Sequence, residues 1–140
     1  MIFRGYVLTN NKRCVEKLKN RTEFKTYEQV KNLPEFAGVL AEDIILIDID
    51  DAETSEILHK IVVDKKLRCR IYNTSRGKHF IFKNNGVTAN KTKANLAITL
   101  SSDIKLGCKC SYSILKYDNK EREIVYDSEE LQDLPKWLRP

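Results

Sequence analysis

Four consecutive branched aliphatics, Ile44-Ile45-Leu46-Ile47, run straight into Asp48-Ile49-Asp50-Asp51, and this junction constrains the chain more than any other stretch. It is the most apolar segment of the sequence and short enough to be a strand, which places it at the centre of a sheet. After Asp50-Asp51 the period changes. Ile57, Leu58, Ile61 and Val62 share one helical face, and Asp51 stands where it can cap a helix beginning near Ala52. Strand, acidic turn and amphipathic helix thus form one unit.

Residues two apart on a strand point to the same face, so Asp48 and Asp50 lie side by side with Cα atoms roughly 6.5 Å apart at the strand rise. Two carboxylates this close repel and lose hydration, and a cation is the natural compensation. An all-oxygen donor set selects Mg²⁺ or Mn²⁺. The same residues also suit a plainer role, with Asp50 and Asp51 capping the helix and Asp48 in a loop.

Around this unit the pattern predicts an α+β domain with a mixed or antiparallel sheet. Strands are expected at Tyr6 to Leu8, Ala37 to Ala41, Cys69 to Asn73, His79 to Lys83, Ala97 to Leu100, Asp103 to Leu106, Ser111 to Tyr117 and Glu123 to Tyr126. Asp118-Asn119 would turn the final hairpin. Val15 and Leu18 stand at helical spacing within the basic segment Lys12 to Arg21, and Thr26 to Val30 reads as a short capped helix ending before Pro34. No repeat or flexible linker interrupts the 140 residues, so they form one domain. A helix-capping signal at Asp127, followed by a stop at Pro140, suggests the N-terminal part of a longer protein.

Thr74-Ser75-Arg76-Gly77-Lys78-His79 gathers hydroxyls, two cations and an imidazole around one glycine, whose freedom of backbone sign suits a tight connection. Ser75, Arg76, Lys78 and His79 all suit phosphate. No helix follows, so this is not the phosphate loop of ATPases. An exposed basic turn is the plainer alternative. Asp103 opens a later strand and supplies a third carboxylate, with Lys105 two residues on and on its face.

Lys and Arg number 25 against 20 Asp and Glu, and the resulting +5 favours polyanionic partners. Lys17, Lys19, Arg21, Lys91 and Lys93 are scattered cations for a nucleic acid, and Tyr27, Tyr72 or Tyr112 could stack bases, none singled out. The N-terminus lacks a secretory apolar core, and no run approaches the ~20 residues of a membrane span, so a cytoplasmic, reduced protein without membrane contact is expected. Cys14, Cys69, Cys108 and Cys110 lack zinc-site spacing, and strand alternation would set Cys108 and Cys110 on one face. His59, between Leu58 and Lys60, reads as surface or packing.

The Asp48-x-Asp50 pair after an apolar strand, the Ser75-x-Gly77-x-His79 turn and Asp103 at a later strand start resemble, in order and spacing, the three motifs of the archaeo-eukaryotic primase superfamily. The likeness is to the primase-polymerase N-terminal domains of phage and plasmid replication proteins, and it runs from Arg4-Gly5-Tyr6-Val7 to Leu134-Pro135-Lys136-Trp137-Leu138. It implies an RRM-like catalytic core, Asp48, Asp50 and Asp103 as ligands of Mg²⁺ or Mn²⁺, and His79 on the incoming nucleotide beside Ser75, Arg76 and Lys78. It also implies a DNA primase or polymerase using dNTP or NTP on single-stranded or primed DNA, with a replicative helicase domain following. A catalytically silent RRM-like module attached to such a helicase, or a metal nuclease, are the alternatives.

Overall fold

In the computed structural model, which describes residues 1–96 and 100–140, the apolar run becomes the strand Ile44–Ile49 with a neighbour on each side. Chain order is β1 (Phe3–Asn10), β2 (Arg13–Cys14), α1 (Tyr27–Val30), β3 (Phe36–Leu40), β4 (Ile44–Ile49), α2 (Ala52–Asp64), β5 (Arg70–Asn73), β6 (Lys78–Lys83), β7 (Lys91–Asn95), β8 (Ser101–Leu106), β9 (Tyr112–Tyr117), β10 (Lys120–Glu121) and β11 (Ile124–Tyr126). Two sheets result, a smaller one ordered β10-β9-β3-β1-β2 and a larger one ordered β11-β5-β6-β4-β8-β7. Every pairing between these strands is antiparallel, so the α+β class holds in its antiparallel form.

Alternation along β4 divides the core. Ile45, Ile47 and Ile49, with Phe80 and Phe82, pack under α2 through Leu58 and Val62 and under the C-terminal Leu134 and Leu138. Ile44 and Leu46, with Tyr72 and Ile81, face the smaller sheet at Phe36, Leu40 and Leu115. The smaller sheet's outer side, Val7, Ala37, Val39 and Ile114, is covered by Cys14, Leu18 and Phe24, which explains why β3 is buried at all five positions. Each fully buried Ile, Leu or Phe adds ~1.5–3 kcal/mol to such a core.

The helix-capping expectations at Thr26 and Asp51 hold. Thr26 caps α1 in a reciprocal box with Gln29, and Asp51 Oδ2 accepts from Thr54 N at 2.8 Å to cap α2. Among the described residues no helix is long and apolar enough to cross a membrane. The four cysteines are unpaired.

Other expectations fail for identifiable reasons. Lys12 to Arg21 is not helical. Asn11 and Lys12 both adopt positive φ, 50° and 67°, and the chain turns back as the β1–β2 hairpin, Asn10 opposite Arg13. Asp118 and Asn119 do turn a hairpin, but it pairs β9 with β10, and β11 crosses to β5 in the larger sheet. Cys108 lies in a 3₁₀ turn, Gly107–Lys109, and Cys110 is left-handed, so the pair shares no strand face. Ile57 is 51% exposed, outside the buried stripe of α2. No α-helix follows Asp127, because its carboxylate is gripped by Arg70 Nε and Nη2, each at 3.0 Å. The chain beyond it runs along Lys83, with Leu134 N donating to Lys83 O at 2.8 Å. The strand expected at Ala97 to Leu100 falls largely on residues 97–99, outside those described.

Candidate active site

Register along β4 decides which side chains meet. Asp48 is paired with His79 of β6 on one side and with Asp103 of β8 on the other, and His79 is paired in turn with Tyr72 of β5. Directly opposite residues share a face with Cβ atoms ~4.5–5.5 Å apart, so Tyr72, His79, Asp48 and Asp103 form one row across the larger sheet. Leu46 lies opposite both Lys105 and Ile81, which puts Lys105 on the same face. A one-residue slip of either ladder would disperse this row to both faces.

His79 is only 5% exposed, and its two ring nitrogens have partners of opposite demand. Nε2 stands 3.4 Å from Asp48 Oδ1, a pure acceptor, so it carries the proton. Nδ1 lies 3.4 Å from Arg122 Nη1, a pure donor, and 3.3 Å from Ser113 Oγ, and must offer its lone pair. Burial pushes the imidazole below its usual range more strongly than Asp48 raises it, and Arg122 and Lys105 push the same way. His79 is therefore neutral at pH 7, and its contact with Asp48 is a hydrogen bond rather than an ion pair. Burial acts to raise Asp48, but the bond from His79 together with the cations Lys105 and Arg122 outweighs it and holds the carboxyl below its ordinary value.

Charge is divided about Asp48. On one side a cavity of about 460 Å³ opens at the seam between the sheets, with Lys12, Lys105, Lys109 and Arg122 on its walls beside His79. On the other side a recess of about 300 Å³ is lined by Asp48, Asp50, Asp51 and Asp103 together with Thr54 and the single cation Lys93. Asp48 belongs to both. A further cavity of about 470 Å³ lies among Met1, Phe3, Asp43, Arg70, Lys83 and Glu129, but its charges are of mixed sign and no histidine enters it.

The three acids at the end of β4 have separate fates. Asp51 caps α2, Asp50 Oδ2 meets Arg76 Nη2 at 2.7 Å, and Asp48 remains in the row. Asp103 Oδ1 accepts from Lys93 N at 2.9 Å. As the side chains stand, no three His, Cys, Asp or Glu among the described residues converge on one cation position. Asp48 and Asp103 are adjacent oxygen donors suited to a hard cation, and Asp50 would join them on leaving Arg76.

The turn before β6 contributes less than its composition suggests. Ser75 and Arg76 are exposed at its tip, and among the described residues Arg76 pairs with Asp50. Lys78, next to His79 on a strand, must point to the opposite face, where its Nζ lies 3.0 Å from Glu56 Oε1 and 2.6 Å from Asn73 Oδ1. It is separated from His79, Asp48 and Lys105. Gly77 does not use positive φ. It is required because a Cβ there would lie 1.8 Å from the Ile49 carbonyl, so the turn sits directly on the end of β4.

Arg122 and Ser113 were not legible as site residues. Arg122 follows a charged turn, Asp118 to Glu121, that reads as solvated surface, yet its N–H bonds Leu115 O at 2.8 Å and its side chain turns inward. Among the described residues it makes no ion pair, and its side-chain hydrogen bond goes to His79. The stacking candidates also separate. Tyr72 joins the row, Tyr112 Oη accepts from Cys14 N, and Tyr27 Oη donates to Glu121 Oε1 at 2.8 Å. Arg21 is paired with Glu16 at 2.9 Å. Lys91 and Lys93 stand on β7, an exposed edge strand that the polar sequence KTKAN did not announce. Comparison of the chain with protein-family models, curated proteins and solved structures returned no match.

Proposed function

We propose that this chain is a metal-dependent nucleotidyltransferase, a primase-polymerase of the archaeo-eukaryotic primase type on an RRM-like core, which starts or extends DNA strands in phage or plasmid replication. One observation supports the reading above the others: Asp48 forms the wall between a cationic cavity and an acidic recess. A nucleoside triphosphate with a bound cation carries the complementary division of charge. In the reaction the O3′–Pα bond forms, the bond from Pα to the bridging oxygen breaks, pyrophosphate leaves, and the hydroxyl proton passes to water.

Asp48 and Asp103 would hold Mg²⁺ or Mn²⁺, joined by Asp50 once Arg76 releases it. A cation held there would lower the pKa of the attacking hydroxyl and stabilise charge on the leaving oxygen. The chain's own groups do the positioning. Arg122, Lys105, Lys109 and Lys12 neutralise the triphosphate, and neutral His79 keeps Asp48 and Arg122 in fixed orientation, one by its N–H and the other by its lone pair. Single-stranded or primed DNA would follow Lys91 and Lys93 on the exposed edge beside Asp103. A helicase domain partner and a cytoplasmic setting belong to the same proposal.

Incorporation of labelled dNTP or NTP on a primed template with Mn²⁺ tests it, with loss on Asp48→Ala as the expected result. Absence of incorporation in every form of the protein would leave a silent nucleic-acid-binding module. Degradation of a labelled strand without added nucleotide would identify a nuclease.

A further inference from the structure

Beside the cationic cavity lies a second, smaller one of about 240 Å³, and Arg122 lines both. Its walls are aromatic: Tyr6, Tyr27 and Phe36 from the smaller-sheet side and Tyr72 from the larger sheet. The rings of Tyr6, Tyr27 and Phe36 stand mutually edge to face, with centroids 5.8 to 6.1 Å apart and interplanar angles from 64° to 84°. The three rings are thus packed against one another as a rigid cluster, and the cavity lies beside that cluster, with Tyr72 also on its wall. The volume is below the ~300–1,000 Å³ of sites for drug-sized molecules and suits a single heterocycle.

The charged groups at this cavity decide which heterocycle. A cage of aromatic rings alone would suit a quaternary ammonium. Here two guanidiniums, Arg70 and Arg122, border it together with the carboxylate of Glu121, which accepts from Tyr27 Oη at 2.8 Å. Arg70 lies 5.8 Å from the Tyr72 ring centroid and is held by Asp127, while Arg122 makes no ion pair among the described residues. With Glu121 engaged by Tyr27 and Arg70 by Asp127, the charge on the side shared with the cationic cavity is Arg122, which suits a neutral ring whose anionic tail points that way. Tyr72 is paired with His79, and His79 with Asp48, so the distance along the sheet from the aromatic cavity to Asp48 is two strand spacings, about 9.6 Å. A ring in the cavity would therefore have its phosphates over Arg122 and toward Lys105.

We propose that the cavity among Tyr6, Tyr27, Phe36 and Tyr72 is a nucleobase pocket, continuous with the phosphate lobe through Arg122, which binds a nucleoside triphosphate in the absence of a template. The proposal rests on the phosphate-binding reading of the cationic cavity and extends it to the base. Because stacking engages the ring face, the pocket accepts purines and pyrimidines alike.

The test is a binding measurement without DNA, in Mg²⁺, using 2-aminopurine riboside triphosphate, whose emission is quenched on stacking, against inorganic tripolyphosphate. The nucleotide should bind about tenfold more tightly than tripolyphosphate, as stacking on an aromatic side chain provides, and its emission should fall. Tyr27→Ala should reduce that preference severalfold at unchanged tripolyphosphate affinity, Tyr27→Phe should retain it, and Arg122→Gln should weaken both ligands. Equal affinity for the two ligands with unquenched emission in the unaltered protein would overturn the base pocket and leave the phosphate lobe standing. Failure of both ligands to bind would overturn the phosphate reading as well. Displacement of the quenched base by choline but not by adenosine would identify an ammonium cage instead. Since quenching and ligand preference are read on the unaltered protein, a variant that fails to fold does not remove the test.

Discussion

Asp48 and Asp103 stand directly opposite each other on β4 and β8, two carboxylates facing one recess with no cation side chain between them in the ladder. Like charges in this relation oppose folding, by up to about 1 kcal/mol in an antiparallel pair. Asp103→Asn should therefore raise the stability of the metal-free protein by a few tenths to 1 kcal/mol in urea unfolding. In the same variant the added stability conferred by millimolar Mn²⁺ should largely disappear, because a ligand that binds only the folded state stabilises in proportion to its affinity.

Asp48→Asn removes the charge while keeping the shape and an acceptor for His79 Nε2. Nucleotide incorporation should fall at least about 100-fold, the scale seen when one group is lost from an electrostatically organised site. Steady-state incorporation on a primed template measures it, and a variant within threefold of the unaltered protein would show that Asp48 does not hold the reacting groups.

Acid should destabilise the protein in two stages. His79 is held below its ordinary 6.5 in the folded state, so as pH falls through 6.5 the unfolded chain takes up a proton that the native chain refuses. Asp48 is held below its ordinary 3.8, so its contribution is complete above that value and is lost as pH falls further. Between pH 7 and 5 the slope attributable to His79 approaches at most about 1.4 kcal/mol per pH unit. Unfolding free energies at pH 7.5, 6.5 and 5.5 should show stability rising with pH, and His79→Gln should flatten that part of the curve whatever its effect on absolute stability.

The exposed Asp50–Arg76 pair offers a control over the cation. An ion pair open to water contributes little, about 0–1 kcal/mol, so Arg76→Ala should scarcely change unfolding. It frees Asp50, and calorimetric titration should show Mn²⁺ binding severalfold more tightly. Metal binding that is unchanged or weaker in this variant would mean that Asp50 takes no part in holding the ion.

Gly77→Ala should cost about 3 kcal/mol, the upper part of the range for overpacking, because the new Cβ meets the Ile49 carbonyl at 1.8 Å. Urea unfolding reads the loss. The Asp48–His79 register depends on this turn resting on the end of β4, so incorporation should fall too.

The row across the larger sheet was partly legible in the sequence. Asp48, His79 and Asp103 each sit in or beside an apolar strand, and period-two alternation alone assigns Asp48 and Lys105 to faces once the register is known. Lys78 shows the limit of composition: it is adjacent to His79 and chemically suited to phosphate, but alternation sends it to Glu56 on α2. Arg122 shows the limit of local pattern. Its place beside His79 arises because β9 and β11 belong to different sheets, a long-range partition that no spacing within Asp118 to Tyr126 encodes. At Lys12 the helical period of Val15 and Leu18 is misleading, because the left-handed pair Asn11-Lys12 forms a tight turn before that period begins.

On the proposed reading Asp48 separates a cation site from a triphosphate site. Crystals soaked with Mn²⁺ and a non-hydrolysable nucleoside triphosphate test it most directly through the anomalous signal of manganese. A peak ligated by Asp48 and Asp103 is expected, with the triphosphate running from it toward Arg122 and Lys105. Manganese bound elsewhere, or a triphosphate density remote from Asp48 at saturating nucleotide, would contradict it.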